Sequence, residues 1–174
     1  MKRLLVLPAL ALLVAGPLSA QQGPLSIPVG EVFGGASYYR NGLTNGINFF
    51  GWQAGIDYNV HKNVGVVLDF GGQYKRVAGV KATHYEYMIG PRFKYRANHM
   101  TAFVEGLAGG QSLRIPGASR GAFAAGGGGG LDCNLGPIVS IRLIQLDSIH
   151  VHTQAGWVHD VRAGAGVVLK FPRH

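Results

Sequence analysis

The closing stretch of the chain constrains it most. Val161, Ala163, Ala165, Val167, Leu169 and Phe171 are apolar, while Arg162, Gly164, Gly166, Val168 and Lys170 between them are mostly small or charged. Side chains of an extended strand point alternately to its two faces, so a period of two gives one greasy face and one charged face. A strand of this kind suits a wall that separates lipid from a polar interior.

The other end of the chain agrees. Lys2 and Arg3 precede an apolar run from Leu4 to Ala15, and Leu18-Ser19-Ala20 offers a cleavage site, so residues 1–20 read as a secretory signal peptide. The run is shorter than the roughly 20 residues that a helical span requires. No later apolar run is long enough either, so a membrane crossing has to be made by strands. Eight strands of about 9–11 residues need roughly 80 residues, which the rest of the chain supplies. Its 28 glycines disfavour helix. Cys133 is the only cysteine, so no internal disulfide forms.

After a proline-containing leader over 21–30, the barrel is expected over 31–171 and a tail over 172–174. The alternation predicts strands at about 31–40, 47–60, 64–74, 83–96, 101–113, 121–135, 138–147 and 157–171. Pro91 falls inside the fourth and is read as a local bulge. The phase of the seventh slips near Gln145, another bulge. The connections after the even strands are short. Those after the odd strands, 41–46, 75–82, 114–120 and 148–156, read as longer loops. Short turns on one side and long loops on the other is the outer-membrane arrangement, with the short turns and both termini periplasmic. Tyr38, Tyr39, Phe49, Trp52, Tyr74, Tyr95 and Trp157 fall near strand ends and are expected in the interface girdles. The expected fold is an all-β, eight-stranded, antiparallel up-and-down transmembrane β-barrel.

The faces opposite the greasy ones carry charge. Five acids (Asp57, Asp69, Glu86, Glu105, Asp132) and five bases (Arg92, Lys94, Arg142, Arg162, Lys170) are expected inward as a matched ion-pair network, since a narrow lumen does not hold unpaired charge. Beyond residue 20 the chain carries 14 bases and 8 acids, net +6, which is then expected on the rims.

The run Gly126–Gly130 with Leu131-Asp132, then Ser140-Ile141-Arg142, Gln145, Asp147 and the closing Arg162 to Phe171, resembles the outer membrane protein β-barrel domain family. This is the OmpA-like and OmpX-like group of small eight-stranded barrels. The resemblance covers nearly all of the chain after the signal peptide. It implies the bacterial outer membrane, a monomer, contact with outer-membrane lipid and lipopolysaccharide, periplasmic chaperones on the way there, and the barrel assembly machinery. It also implies that Gly166, Leu169 and Phe171 form the C-terminal assembly signal, although most members end on the phenylalanine and this chain continues through Pro172-Arg173-His174.

Chemistry-bearing residues are few. His150, His152 and His159 cluster around the last loop, and a His-x-His spacing on an extended segment puts two imidazoles on one face. That spacing is unspecific, and the three read as solvated loop histidines, so no metal site and no cofactor is assigned. Ser148, His150 and Asp147 do not assemble a triad, because neighbours in a strand point to opposite faces. No catalytic residue is expected. Arg40, Lys75, Arg76, Lys81, Arg114 and Arg120 fall in or beside the outward loops, where clustered bases favour lipopolysaccharide phosphates. Nucleic acid is not an expected partner. The sequence thus points to a non-enzymatic barrel with a structural, adhesive or surface-binding role exercised through its loops. The alternatives it leaves open are a narrow channel and a lipid A-modifying enzyme.

Overall fold

A computed structural model of the chain describes residues 27–42, 47–77, 80–153 and 156–172. The signal peptide expected over 1–20, the leader as far as 26, and Arg173 and His174 lie outside the described residues. The rest is one sheet of eight antiparallel strands: β1 (Gly30–Asn41), β2 (Ile47–His61), β3 (Val64–Val77), β4 (Val80–Arg96), β5 (Met100–Ile115), β6 (Ala118–Asn134), β7 (Val139–Thr153) and β8 (Gly156–Phe171). Each strand pairs with the next, and β8 closes on β1 in a register running from Gly30 opposite Phe171 to Arg40 opposite Val161. Closure leaves no sheet edge, which is the condition for strands to cross lipid.

Alternation decides the two faces. Val32, Ile56, Leu68, Phe70, Ile89, Val104, Leu146 and Val167 stand exposed on the outside, whereas Asp57, Asp69, Glu86, Glu105 and Arg162 on the same strands are buried. An apolar exterior over a charged core inverts a soluble barrel and matches a bilayer. No helix among the described residues is long and apolar enough to cross a membrane.

The strands run further than the pattern predicts. The connections expected as loops at 75–82, 114–120 and 148–156 are mostly strand, and β3–β4, β5–β6 and β7–β8 are joined over only 78–79, 116–117 and 154–155. Polar and basic residues there were the reason to expect loops. The ladder is made by backbone groups, however, and the paired registers continue past the point where the apolar side-chain pattern ends. At the β5–β6 tip Pro116 fixes its own φ and Gly117 takes φ +81°, a conformation that glycine adopts without strain.

Two local expectations change. Pro91 makes no bulge: Val66 faces Pro91 in an unbroken β3–β4 register, and on the β5 side the phase from Ile89–Ala108 resumes at Arg92–Glu105. The ladder is interrupted where proline has no N–H to donate, and its register survives. The register shift on β7 does fall between Arg142 and Gln145. It leaves Leu143 and Ile144 both exposed outside and both Arg142 and Gln145 buried inside. Tyr39 and Phe49 are not girdle residues. Both are buried in the lumen, on the faces of Ser37 and Gln53, because position along a strand does not decide which face a residue takes. Tyr38, Trp52, Tyr74, Tyr95 and Trp157 do face outward.

Candidate functional site

Every acidic residue of the chain is inside the barrel. Glu31, Asp57, Asp69, Glu86, Glu105, Asp132, Asp147 and Asp160 are all buried. The expectation of five acids matched by five bases is therefore corrected: Glu31, Asp147 and Asp160 join the interior, and Arg96 joins the bases. At the end near the termini, Lys94 Nζ lies 3.0 Å from Glu31 and 2.8 Å from Asp57, and Arg96 Nη2 lies 2.7 Å from Glu31. Lys170 donates to Asn134 Oδ1 at 2.6 Å.

The next layer is built on two arginines. Arg92 pairs with Glu105 at 2.5 Å and Asp57 at 3.2 Å. Arg142 grips both carboxylate oxygens of Asp132, at 2.8 and 3.2 Å. The ring of Phe103 lies against both guanidiniums, at 4.4 Å from Arg92 and 4.3 Å from Arg142, and Phe33 lies 4.3 Å from Arg142. Planar cations pack on aromatic faces, so rings as well as carboxylates hold these charges in place. Gln145 bridges to the following layer through Glu105 at 2.8 Å and Asp147 at 3.0 Å.

Arg162 is the hub of that layer. Its guanidinium reaches Asp69 at 2.5 Å, Glu86 at 2.7 Å and Asp147 at 2.7 Å. Towards the far mouth Tyr39 donates to Asp160 at 2.5 Å, and the ring nitrogens of His84 lie 2.8 Å from Gln73 and 2.9 Å from Gln111. Around them sits an apolar cluster containing Phe49, Val67, Met88, Leu107, Ile149 and Val151. The glycine run on β6 makes room for this packing. Asp147 Oδ1 occupies the space that a Cβ on Gly128 would take, and the Phe103 ring tip stands 2.5 Å from that of Gly130.

With all acids inside, the outer rims hold only bases. Arg40, Arg76 and Arg114 project from the outer wall near the far mouth. There the Arg114 guanidinium lies 5.6 Å from the Tyr85 ring, Tyr85 meets Tyr74 edge-on, and Trp52 donates to Tyr74 Oη at 3.2 Å. Lys75, two residues after buried Gln73, and Arg120, opposite Leu113, stand at the edge of the mouth. Lys81 takes its place by register opposite Arg76, and its side chain lies outside the described residues. The residues expected to form an assembly signal divide: Leu169 and Phe171 are exposed on the outer wall, and Gly166 faces Gly35 on β1.

Ser148 Oγ is 2.8 Å from His159 Nε2 on the outer wall. The adjacent acids Asp147 and Asp160 are buried on the other side of that wall, so no carboxylate orients the pair as a catalytic base would require. Among the described residues no group of three or more His, Cys, Asp or Glu is arranged around a common ion position.

Solved structures share the architecture. Neisserial surface protein A is similar over 82% of this chain and 97% of its own, with TM-score 0.70 and 12% identity. This is the fold of the small outer-membrane barrels. Ail of Yersinia pestis, in complex with the heparin analogue sucrose octasulfate, matches 80% of this chain and 97% of its own at TM-score 0.57 and 17% identity. OprG of Pseudomonas aeruginosa matches 85% and 98% at TM-score 0.57 and 8% identity. No protein-family model matches the chain, and no curated protein matches it in sequence.

Proposed function

We propose that this chain is a non-enzymatic barrel of the bacterial outer membrane that holds envelope lipid at its rim, with Arg40, Lys75, Arg76, Lys81, Arg114 and Arg120 taking the phosphates of lipopolysaccharide. The observation that carries this reading is the segregation of charge. All eight acids are inside, so no carboxylate competes for the rim cations. A phosphate at this rim meets arginine, lysine and aromatic rings with no carboxylate beside them. Arginine binds phosphate oxygens in a two-pronged geometry, and a field of one sign raises local anion concentration. The aromatic ladder Trp52–Tyr74–Tyr85 under Arg114, with Tyr74 edge-on to Tyr85, is the kind of outward aromatic group that settles where headgroups meet acyl chains. Ail, a barrel of this fold, was solved in complex with a polyanion, the heparin analogue sucrose octasulfate, which supports anion binding by a barrel of this architecture.

The test is binding of the refolded barrel to lipopolysaccharide, with these six residues changed to glutamine. Affinity should fall and lose most of its dependence on salt. Unchanged affinity would sink the idea. A heparin fragment that displaces lipopolysaccharide only from the parent barrel would show that the same bases take both anions.

A further inference from the structure

The run of β7 past its expected end, to Thr153, changes what the last histidines are. They stand on paired strands, on the outer wall near the far mouth, and the rim reading uses none of them. His150 lies directly opposite His159, and His152 opposite Trp157. The rings of His150 and His159 have their centroids 5.0 Å apart. Two imidazoles bound to one tetrahedral ion through nitrogens at about 2.0–2.1 Å have centroids about 5 Å apart, so this pair already has the separation that a shared ion requires.

The surroundings suit the same role. Ser148 Oγ lies 2.8 Å from His159 Nε2. An N–H donated from Nε2 to that hydroxyl leaves a lone pair on Nδ1, the tautomer that a ligating imidazole needs. The ring of His152 instead packs on Trp157, with centroids 5.0 Å apart. Arg40 is the neighbouring base on β1, opposite Val161 and so one outward position from His159. Its charge penalises the ion and is offset by any anionic oxygen that completes the coordination.

We infer that His150 and His159 form a two-imidazole site for a divalent transition-metal ion at the outer end of the barrel. Imidazole donors without carboxylates favour Cu(II), Ni(II) or Zn(II) over Mg(II) and Ca(II). The remaining positions fall to water or to an anionic oxygen, since no third protein ligand is present among the described residues. The closed sheet holds both strands in register, so the two rings are neighbours before any ion binds.

The experiment uses the untagged barrel refolded in detergent micelles and titrated calorimetrically with Cu(II), Ni(II), Zn(II) and Mg(II). Paramagnetic resonance of the Cu(II) form counts the coordinated nitrogens. One transition-metal ion per chain, two imidazole nitrogens and no Mg(II) binding are expected. His150→Ala and His159→Ala should each weaken binding at least about tenfold, and Ser148→Ala about tenfold through loss of orientation. His152→Ala and the distant His99→Ala should leave it unchanged. All these side chains point into solvent or lipid, and heat-dependent gel mobility checks that each variant folds. Binding that survives in both His150→Ala and His159→Ala, or that is lost equally in His152→Ala, overturns the site.

Discussion

Arg162 on β8 and Asp69 on β3 are 93 residues apart in the chain and 2.5 Å apart across the lumen. The same guanidinium also holds Glu86 from β4 and Asp147 from β7. One cation thus ties four strands together from the inside. Paired charges in a dry interior roughly offset their own desolvation, whereas a charge that loses its partner does not.

Arg162→Met should therefore destabilise far more than the loss of one side chain suggests, by about 3–5 kcal/mol, because three carboxylates are left facing one another. Arg162→Lys keeps the charge but not the fork of donors and should fall in between. Urea unfolding from lipid vesicles, followed by the fluorescence of Trp52 and Trp157, measures both. An Arg162→Met barrel that unfolds at the parent midpoint would mean that the hub contributes nothing.

Two glycines at similar depth should respond oppositely to the same methyl group. A Cβ on Gly128 clashes with Asp147 Oδ1 and with the Leu146 backbone carbonyl, so both the carboxylate that holds Arg162 and the β7 backbone must shift, whereas a Cβ on Gly106 meets nothing within 4 Å. Gly128→Ala should cost about 1–3 kcal/mol, as overpacking does. Gly106→Ala should be neutral or slightly stabilising, since the unfolded chain loses freedom. The same unfolding assay compares them, and equal effects would remove steric crowding as the reason for the glycine run.

Strand number, closure and the two faces of most strands were legible in the sequence, because an apolar wall facing lipid imposes a period of two over every crossing. Legibility ended where that constraint ends. Past the lipid, Lys75, Arg76, Ser148 and His150 look like loop while their backbones remain paired. Glu31 stands at the second position of β1, whose glycine-rich stretch Gly34-Gly35-Ala36 gives little indication of face. Asp147 follows the register shift at Gln145 and takes the opposite phase from the first half of its strand. Asp160 fell in the stretch read as strand, yet its partner Tyr39 was expected outside. That Arg162 serves three carboxylates on three strands is a fact of barrel curvature, which no local pattern records.

Phe171 closes β8 opposite Gly30, half-exposed on the outer wall, and Val29 N–H donates to its carbonyl at 2.8 Å. Its side chain makes a modest contribution to the folded barrel because it ends in lipid or solvent. If it serves as the assembly signal, Phe171→Ala should slow insertion in cells while leaving refolding into detergent and the urea midpoint close to the parent. Equal losses in cells and in vitro would assign it to stability instead. Adding residues after His174 tests the same point from the other side: if recognition needs Phe171 near a free end, insertion in cells should slow further while refolding in detergent stays unchanged.

The lumen should not conduct. Eight strands enclose a space that side chains fill, and here Arg142, Arg162, Tyr39 and Ile149 are among the largest fully buried side chains. An ion entering near the termini meets Glu31, Lys94 and Arg96 locked together, then Arg92 and Arg142 stacked on Phe103, then Arg162 with its three carboxylates. Beyond these it meets Tyr39 bound to Asp160 and His84 bound between Gln73 and Gln111, all packed among Met88, Leu107, Ile149 and Val151. Planar-bilayer recordings of the parent barrel should therefore show a flat baseline at either polarity. Reproducible, ohmic single-channel steps would show that the charged layers rearrange into a path, and would revive the narrow-channel reading that the packing argues against.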